Sequence, residues 1–296
     1  MTIEQYILEK RRIINTELDR ILPKEHIIDE AVRYTVLATS NRWRPIVTIA
    51  TSEMYGVKEK EILPIASAIE MLNGASIMID DLPSFDNATL RRGKQTLHKV
   101  YGEALGILAS FYTVHHLAFS LISGSDLPEP IRKRLIFDFP KLINEMVLGQ
   151  AKDVLSKGKT MTTEEILQMY GQKSGALYGF SAVAGGVVGR ASDSEIEALR
   201  KYGRSMGTAY QVLDDILDIE AKPKEIGKDV QQDLCKPTLP SLIGVEASKR
   251  KAQGLMQDAK QALTRIDRDT FILTELVDYI VLINKKLTAP VVRFGV

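Results

Sequence analysis

Thiol chemistry is almost absent from this chain, since Cys235 is its single cysteine. That excludes a disulfide framework and any multi-cysteine metal cluster within it, and fits a reducing compartment. An excess of either charge is also missing, because 39 Lys and Arg stand against 38 Asp and Glu. With no electrostatic footprint for a long polyanion or an anionic membrane, nucleic acid is excluded as a partner. Strand-like alternation is hard to find, and no apolar run reads as a membrane span. Met1 to Arg12 alternates apolar and charged residues without the apolar core of a signal peptide. The terminal Arg293-Phe294-Gly295-Val296 is no lipidation box. These absences predict a soluble, unprocessed, cytoplasmic protein without stable membrane insertion. No repeat, linker or composition shift marks a boundary, so residues 1–296 read as one domain.

Helical periodicity fills the space left. Ile3, Tyr6, Ile7, Ile13, Ile14 and Leu18 recur at spacings of three, four and seven, the apolar stripe of an amphipathic helix. Further helices are predicted over about 28–40, 44–55, 60–79, 99–123, 130–155, 163–170, 174–189, 194–220, 239–265 and 271–286. Breaks are expected at Gly56, Pro83, Gly124 to Pro130, Lys157 to Thr160, Gly185-Gly186 and Pro223. The architecture implied is all-α: a single-domain helical bundle whose facing helices turn polar sites inward.

Two acid clusters end otherwise apolar stretches. Ile77-Met78-Ile79 runs into Asp80-Asp81, with Asp86 after a four-residue gap. Far downstream, Tyr210-Gln211-Val212-Leu213 runs into Asp214-Asp215, with Asp218 one helical turn on from Asp214. On a helix Asp214 and Asp218 share a face and Asp215 flanks them. Carboxylates on a core-facing stripe need pairing or coordination. Mg²⁺ suits them, because it takes hard oxygen ligands and binds through one or two carboxylates plus phosphate oxygens. Cations bracket both clusters: Arg91 and Arg92 follow Asp86, Arg42 and Arg44 precede it, and Lys173, Lys224 and Lys228 accompany the second. Arginine forks match phosphate oxygens and stay charged.

With these residues in place, residues 35–285 resemble the trans-isoprenyl diphosphate synthases, the polyprenyl synthetase family, of short-chain farnesyl or geranylgeranyl type. Asp80 to Asp86 is similar to the first aspartate-rich motif in its long-spaced form, and Asp214-Asp215-Ile216-Leu217-Asp218 to the second. Gln150 and Asp153 resemble a helper motif beside the metals, Lys173-Ser174 a Lys-Thr pair, Tyr210-Gln211 a Phe-Gln pair, and 224–229 a lysine-bearing flap. The resemblance implies an isoprenoid-synthase-like bundle with a central apolar cavity, acting as a homodimer on an allylic prenyl diphosphate and isopentenyl diphosphate. It implies three Mg²⁺ held by Asp80, Asp81, Asp86, Asp214, Asp215 and Asp218. Arg91, Arg92, Arg44, Lys173, Lys224, Gln150 and Gln211 would bind diphosphate, and Lys173 joins the acids in catalysis.

Chain length in such enzymes is set about one turn before the first motif, here at Ala75 and Ser76. Each extra isoprene unit gains about 0.8 kcal/mol per buried carbon, so small residues favour a twenty-carbon product within a range of fifteen to twenty-five. Phe111 and Tyr112 are the bulky side chains placed to close the cavity floor, although ordinary core packing is the simpler reading of both. Two departures concern the second substrate. Asn41 stands where the family shows a phosphate-binding Lys, and Asn73 where it shows a His. They raise an alternative, a prenyl diphosphate lyase, terpene cyclase or non-head-to-tail coupling enzyme that ionises its substrate without the usual condensation.

Overall fold

The computed structural model describes residues 1–220 and 236–288. Helices α1 (Ile3–Ile21), α2 (Ile27–Val36), α3 (Trp43–Met54) and α4 (Glu59–Asp80) come first. Helices α5 (Leu97–Tyr101), α6 (Glu103–Tyr112), α7 (Phe119–Ser123), α8 (Glu129–Leu155), α9 (Thr163–Tyr170) and α10 (Ala176–Val188) follow. Helices α11 (Asp193–Glu220), α12 (Leu239–Ile243), α13 (Val245–Leu263) and α14 (Phe271–Thr288) complete the bundle. The only strands among the described residues are β1 (Leu90–Arg91) and β2 (Lys94–Gln95), an antiparallel pair. Their two-residue turn, Arg92-Gly93, has both φ angles positive, as a tight hairpin requires.

Capping chemistry sets several boundaries. Thr2, Thr162 and Thr238 each close a capping box at the start of α1, α9 and α12. Two expected long helices are each divided, 99–123 at Gly102 and 239–265 at Gly244, where φ is +85° and +82°. That left-handed backbone ends one helix and starts the next. The break expected at Gly185-Gly186 does not occur, because α10 runs through both against α3. The break expected at Pro223 lies outside the described residues.

Helices α3, α4, α10 and α11 form the centre, with Ile49, Ile65, Ile69, Tyr178, Val183, Tyr202 and Met206 buried between them. A Cβ on Gly203 of α11 would stand 2.3 Å from the Tyr178 carbonyl oxygen, so the α10–α11 seam depends on its absence. The expectation that no stretch is apolar enough to cross a membrane needs correction. Two helical stretches, Glu59–Asp80 and Glu103–Ser123, pass by length and composition. The first is the central core helix and carries Glu70, Asn73 and Asp80.

π-helical turns interrupt two helices. Thr113–Ala118 lies between α6 and α7, and Gly171–Gly175 between α9 and α10. The second fills the gap that the sequence leaves between 170 and 174. Such a wide turn re-aims side chains and is frequent at functional sites, and here it carries Lys173 and Ser174.

Candidate active site

A cavity of about 800 Å³ runs through the bundle between α3, α4, the Gly171–Gly175 turn and α11. Its apolar wall includes Leu72, Ile77, Val114, Ile143, Met146 and Leu177, with small Ala75, Ser76 and Ser110 among them. One side opens onto a smaller acidic cavity of about 120 Å³, sharing Asp80, Arg91, Lys173, Gln211 and Asp214 with it. The other side is lined by Arg11, Asn41, Arg42, Arg44, Asn73 and Arg92.

The acidic side is assembled from five parts of the chain. Asp80 ends α4, and the following turn folds back so that the Asp86 amide donates to the Asp80 carbonyl oxygen at 3.0 Å. Helix α11 supplies Asp214, Asp215 and Asp218, α8 supplies Asp153, and Lys236 arrives just before α12. Gly149 lets α8 approach the π turn, because a Cβ there would be 2.5 Å from the Lys173 amide nitrogen. Lys173 Nζ then donates to Asp153 Oδ2 at 2.7 Å and lies 4.0 Å from Asp80. Lys236 Nζ bridges Asp86 at 2.7 Å and Asp153 at 3.1 Å. Tyr170 donates its hydroxyl to Asp215 and accepts from the Leu239 amide at 3.0 Å. Gln211 donates to Asp215 at 3.0 Å and accepts from Ser174 at 2.7 Å.

Six carboxylates and three cations line the small cavity among the described residues. Burial, reinforced by repulsion from Asp86 and Asp153, pushes the Asp80 carboxyl up to about 6 despite the attraction of Lys173 and Arg91. Burial alone would depress Lys173, but Asp80, Asp153 and Asp86 raise it, so it is firmly charged. Asp153 is held below the usual carboxylate range: burial opposes this, and Lys173 and Lys236 outweigh burial. Hard oxygen donors in surplus around a small cavity fit Mg²⁺. No three acids or histidines among the described residues are gathered at ion-holding distance, and Tyr170, Lys173 and Lys236 bond to Asp215, Asp153 and Asp86.

The arginine side reverses the sign. Arg42 sits at the N-cap of α3 with φ 57°, and it is fully enclosed. It donates to Glu70 at 2.6 Å, Asn15 at 2.8 Å and the Ala38 carbonyl at 3.2 Å. Arg44 lies over the Tyr178 ring at 4.5 Å, and its Nε is buried without a partner. Arg92 reaches the Thr35 carbonyl at 3.5 Å and lies 4.0 Å from Glu70.

The structure brings together most of the residues that the sequence marks, and relocates three. Asp80, Asp86, Asp214, Asp215 and Asp218 line the acidic cavity with Arg91, Lys173 and Gln211. Gln150, Arg44, Arg92, Ala75 and Ser76 line the large one, and the Gln150 Nε2 is buried without a partner there. Asp81, expected as a metal ligand, lines neither cavity; it accepts from Arg91 Nε at 2.9 Å and Nη2 at 2.7 Å and so aims that guanidinium. Phe111 and Tyr112 do not close the floor of this cavity. Phe111 is 62% exposed, Tyr112 stacks on His116 at the core's edge, and Ser110 and Val114 of the same continuous helix face inward. Lys224 lies outside the described residues. Tyr170 escaped the sequence reading, because a tyrosine at a helix end carries no local signal. Lys236 is 150 residues from its partner Asp86.

The family model described as polyprenyl synthetase matches residues 25–276. The chain belongs to the polyprenyl synthetase family. Among its relatives, the heterodimeric geranylgeranyl pyrophosphate synthase large subunit 1, chloroplastic, of Arabidopsis thaliana is 39% identical, covering 93% of this chain and 78% of that protein. Farnesyl diphosphate synthase of Geobacillus stearothermophilus is 34% identical over 95% of this chain and 97% of its own. Among solved structures, the geranyltransferase of Helicobacter pylori complexed with magnesium and isoprenyl diphosphate superposes with a TM-score of 0.83 at 28% identity, covering 96% and 97% of the two chains. Both acid clusters of this polyprenyl synthetase, and Arg42, Arg44, Arg91 and Arg92, fall within the matched stretch, whereas α1 lies before it.

Proposed function

We propose that the protein is a short-chain trans-prenyltransferase that condenses an allylic diphosphate with isopentenyl diphosphate to a twenty-carbon product. The observation that carries it is one apolar-walled cavity lined, among the described residues, by a cluster of carboxylates on one side and a cluster of guanidinium groups on the other. A metal-bound diphosphate suits the first and a second diphosphate suits the other. Asp80, Asp86, Asp214, Asp215 and Asp218 would hold Mg²⁺, three ions by analogy with the family. Bound there, Mg²⁺ supplies charge stabilisation to the departing diphosphate.

The chain's own groups complete the step. Arg91, aimed by Asp81, and Lys173, held by Asp153, neutralise diphosphate oxygens as the allylic carbon–oxygen bond breaks. The double bond of isopentenyl diphosphate attacks the allylic cation, forming the new carbon–carbon bond. A proton then leaves the adjacent carbon for the released diphosphate, so no protein nucleophile is consumed. The apolar wall excludes water that would quench the cation. Ala75, Ser76 and Ser110 leave room for the lengthening chain, and the Arabidopsis relative carries a geranylgeranyl name. The lyase or cyclase alternative is not favoured, since the named relatives are prenyl diphosphate synthases.

A homodimer is part of the same reading, supported by exposed Ile107, Leu108 and Phe111 along α6. A cytoplasmic location without membrane insertion is also proposed, on the single cysteine and balanced charge. The deciding experiment incubates protein and Mg²⁺ with dimethylallyl, geranyl or farnesyl diphosphate, with and without isopentenyl diphosphate, followed by mass spectrometry. Elongated diphosphates that need both isopentenyl diphosphate and Mg²⁺ are expected. Hydrocarbon or alcohol formed equally without isopentenyl diphosphate would replace this reading with the lyase.

A further inference from the structure

We infer that Arg11, on the N-terminal helix α1, is a binding residue for the diphosphate of the second substrate, standing in for the cation that Asn41 does not supply. This rests on the prenyltransferase reading of the cavity. Arg11 lines the cavity beside Asn41, Arg44 and Arg92. Its Nη2 donates to Asn41 Oδ1 at 3.4 Å, a long and neutral contact, and its Nε is buried without a partner. No carboxylate among the described residues forms an ion pair with it. A partly buried guanidinium so poorly satisfied is costly unless an anion completes it.

The arginine side shows which cations remain for that anion. Arg42 is spent on Glu70, Asn15 and Ala38, and Glu70 is thereby the acid that Arg42 consumes. Arg11, Arg44 and Arg92 are left; among the described residues the one carboxylate that pairs with any of them is Glu70, 4.0 Å from Arg92. Arg11 and Asn15 lie one helical turn apart on α1, so the face that fixes Arg42 also presents Arg11. Three forks around one pocket match the oxygens and charge of a diphosphate. Burial is the main cause that lowers the affinity of Arg11 for its proton; Tyr279 opposes it and repulsion from Arg42 adds to it. Arg11 precedes the stretch that matches the family pattern, residues 25–276, so that pattern assigns it no role.

Steady-state kinetics on the full chain with Mg²⁺ test this. Arg11→Ala should raise the KM for isopentenyl diphosphate roughly ten- to hundred-fold, the loss of one charge-assisted contact. The KM for the allylic diphosphate should move by less than about twofold. Arg11→Lys should retain most of the affinity, and Asn41→Lys added to Arg11→Ala should restore it, which a merely structural role for Arg11 would not allow. An unchanged KM for isopentenyl diphosphate in Arg11→Ala, or an equal rise for both substrates, overturns the assignment. Calorimetric titration with isopentenyl diphosphate separates the two readings. If the wild type binds it through Arg11 yet forms no elongated product, the transferase reading falls and the role of Arg11 stands.

Discussion

The acidic and arginine sides of the cavity solve the same electrostatic problem with opposite signs. Like charges are crowded in both, six carboxylates on one side and four guanidinium groups on the other among the described residues. On the acidic side, Lys173, Lys236 and Arg91 reach in from other elements and pair with Asp153, Asp86 and Asp81. On the arginine side Glu70, the one carboxylate paired there among the described residues, serves Arg42 and lies 4.0 Å from Arg92. The difference teaches that one cavity can present opposite charge at its two ends, which is what the proposed reading of a cation-bridged diphosphate on one side and a bare one on the other requires.

Removing charge from each side probes this most strongly. Asp80→Asn should lower condensation on the order of 10²–10³-fold while leaving metal-free stability unchanged or higher, because it deletes one charge from a crowded set. Turnover and calorimetric melting measured together test that pairing of signs, and a large loss of metal-free stability would show that Asp80 is a structural acid. Lys173→Met should do the reverse to the fold, costing about 1.5–3 kcal/mol by removing one of the two cations that hold Asp153, Lys236 remaining, read from urea unfolding. If stability holds, the internal cations are not what offsets the acids.

Subtler tests follow. Ala75→Phe should shift the main product from twenty carbons towards fifteen by filling the inner wall, and an unchanged distribution in mass spectrometry would place the limit elsewhere. Metal-free stability should carry an acid-side signature of Asp80. Its folded-state value of about 6 exceeds the ordinary 3.8, so the folded protein binds the extra proton. This group's contribution therefore becomes more favourable as pH falls from 7 through 6 towards 4, and less favourable as pH rises. The Asp80→Asn variant should lack that component when melting is compared across pH. Phe111→Ala, the smallest effect, should leave product length unchanged because the side chain is exposed and does not line the cavity; its readout is self-association by sedimentation, which the proposed homodimer makes sensitive to it. A shortened or lengthened product would return Phe111 to the wall.

The helices, the two acid clusters and the small residues before Asp80 were legible because each is a local pattern. Helical spacing is set by the backbone over a few residues, and an apolar stretch ending in acids shows itself without knowledge of the fold. The sequence alone could not assign partners. That Asp81 would turn away to aim Arg91, that Lys236 would cross to Asp86, and that Phe111 would face outward while Ser110 faced inward depend on packing between distant segments. The same holds for Arg11, an ordinary charged residue on an amphipathic helix until α1 is laid against the loop bearing Asn41. Composition and spacing determined the helical class and the acid sets. Tertiary structure decided which charges meet, because long side chains choose among neighbours that only the packed bundle brings within reach.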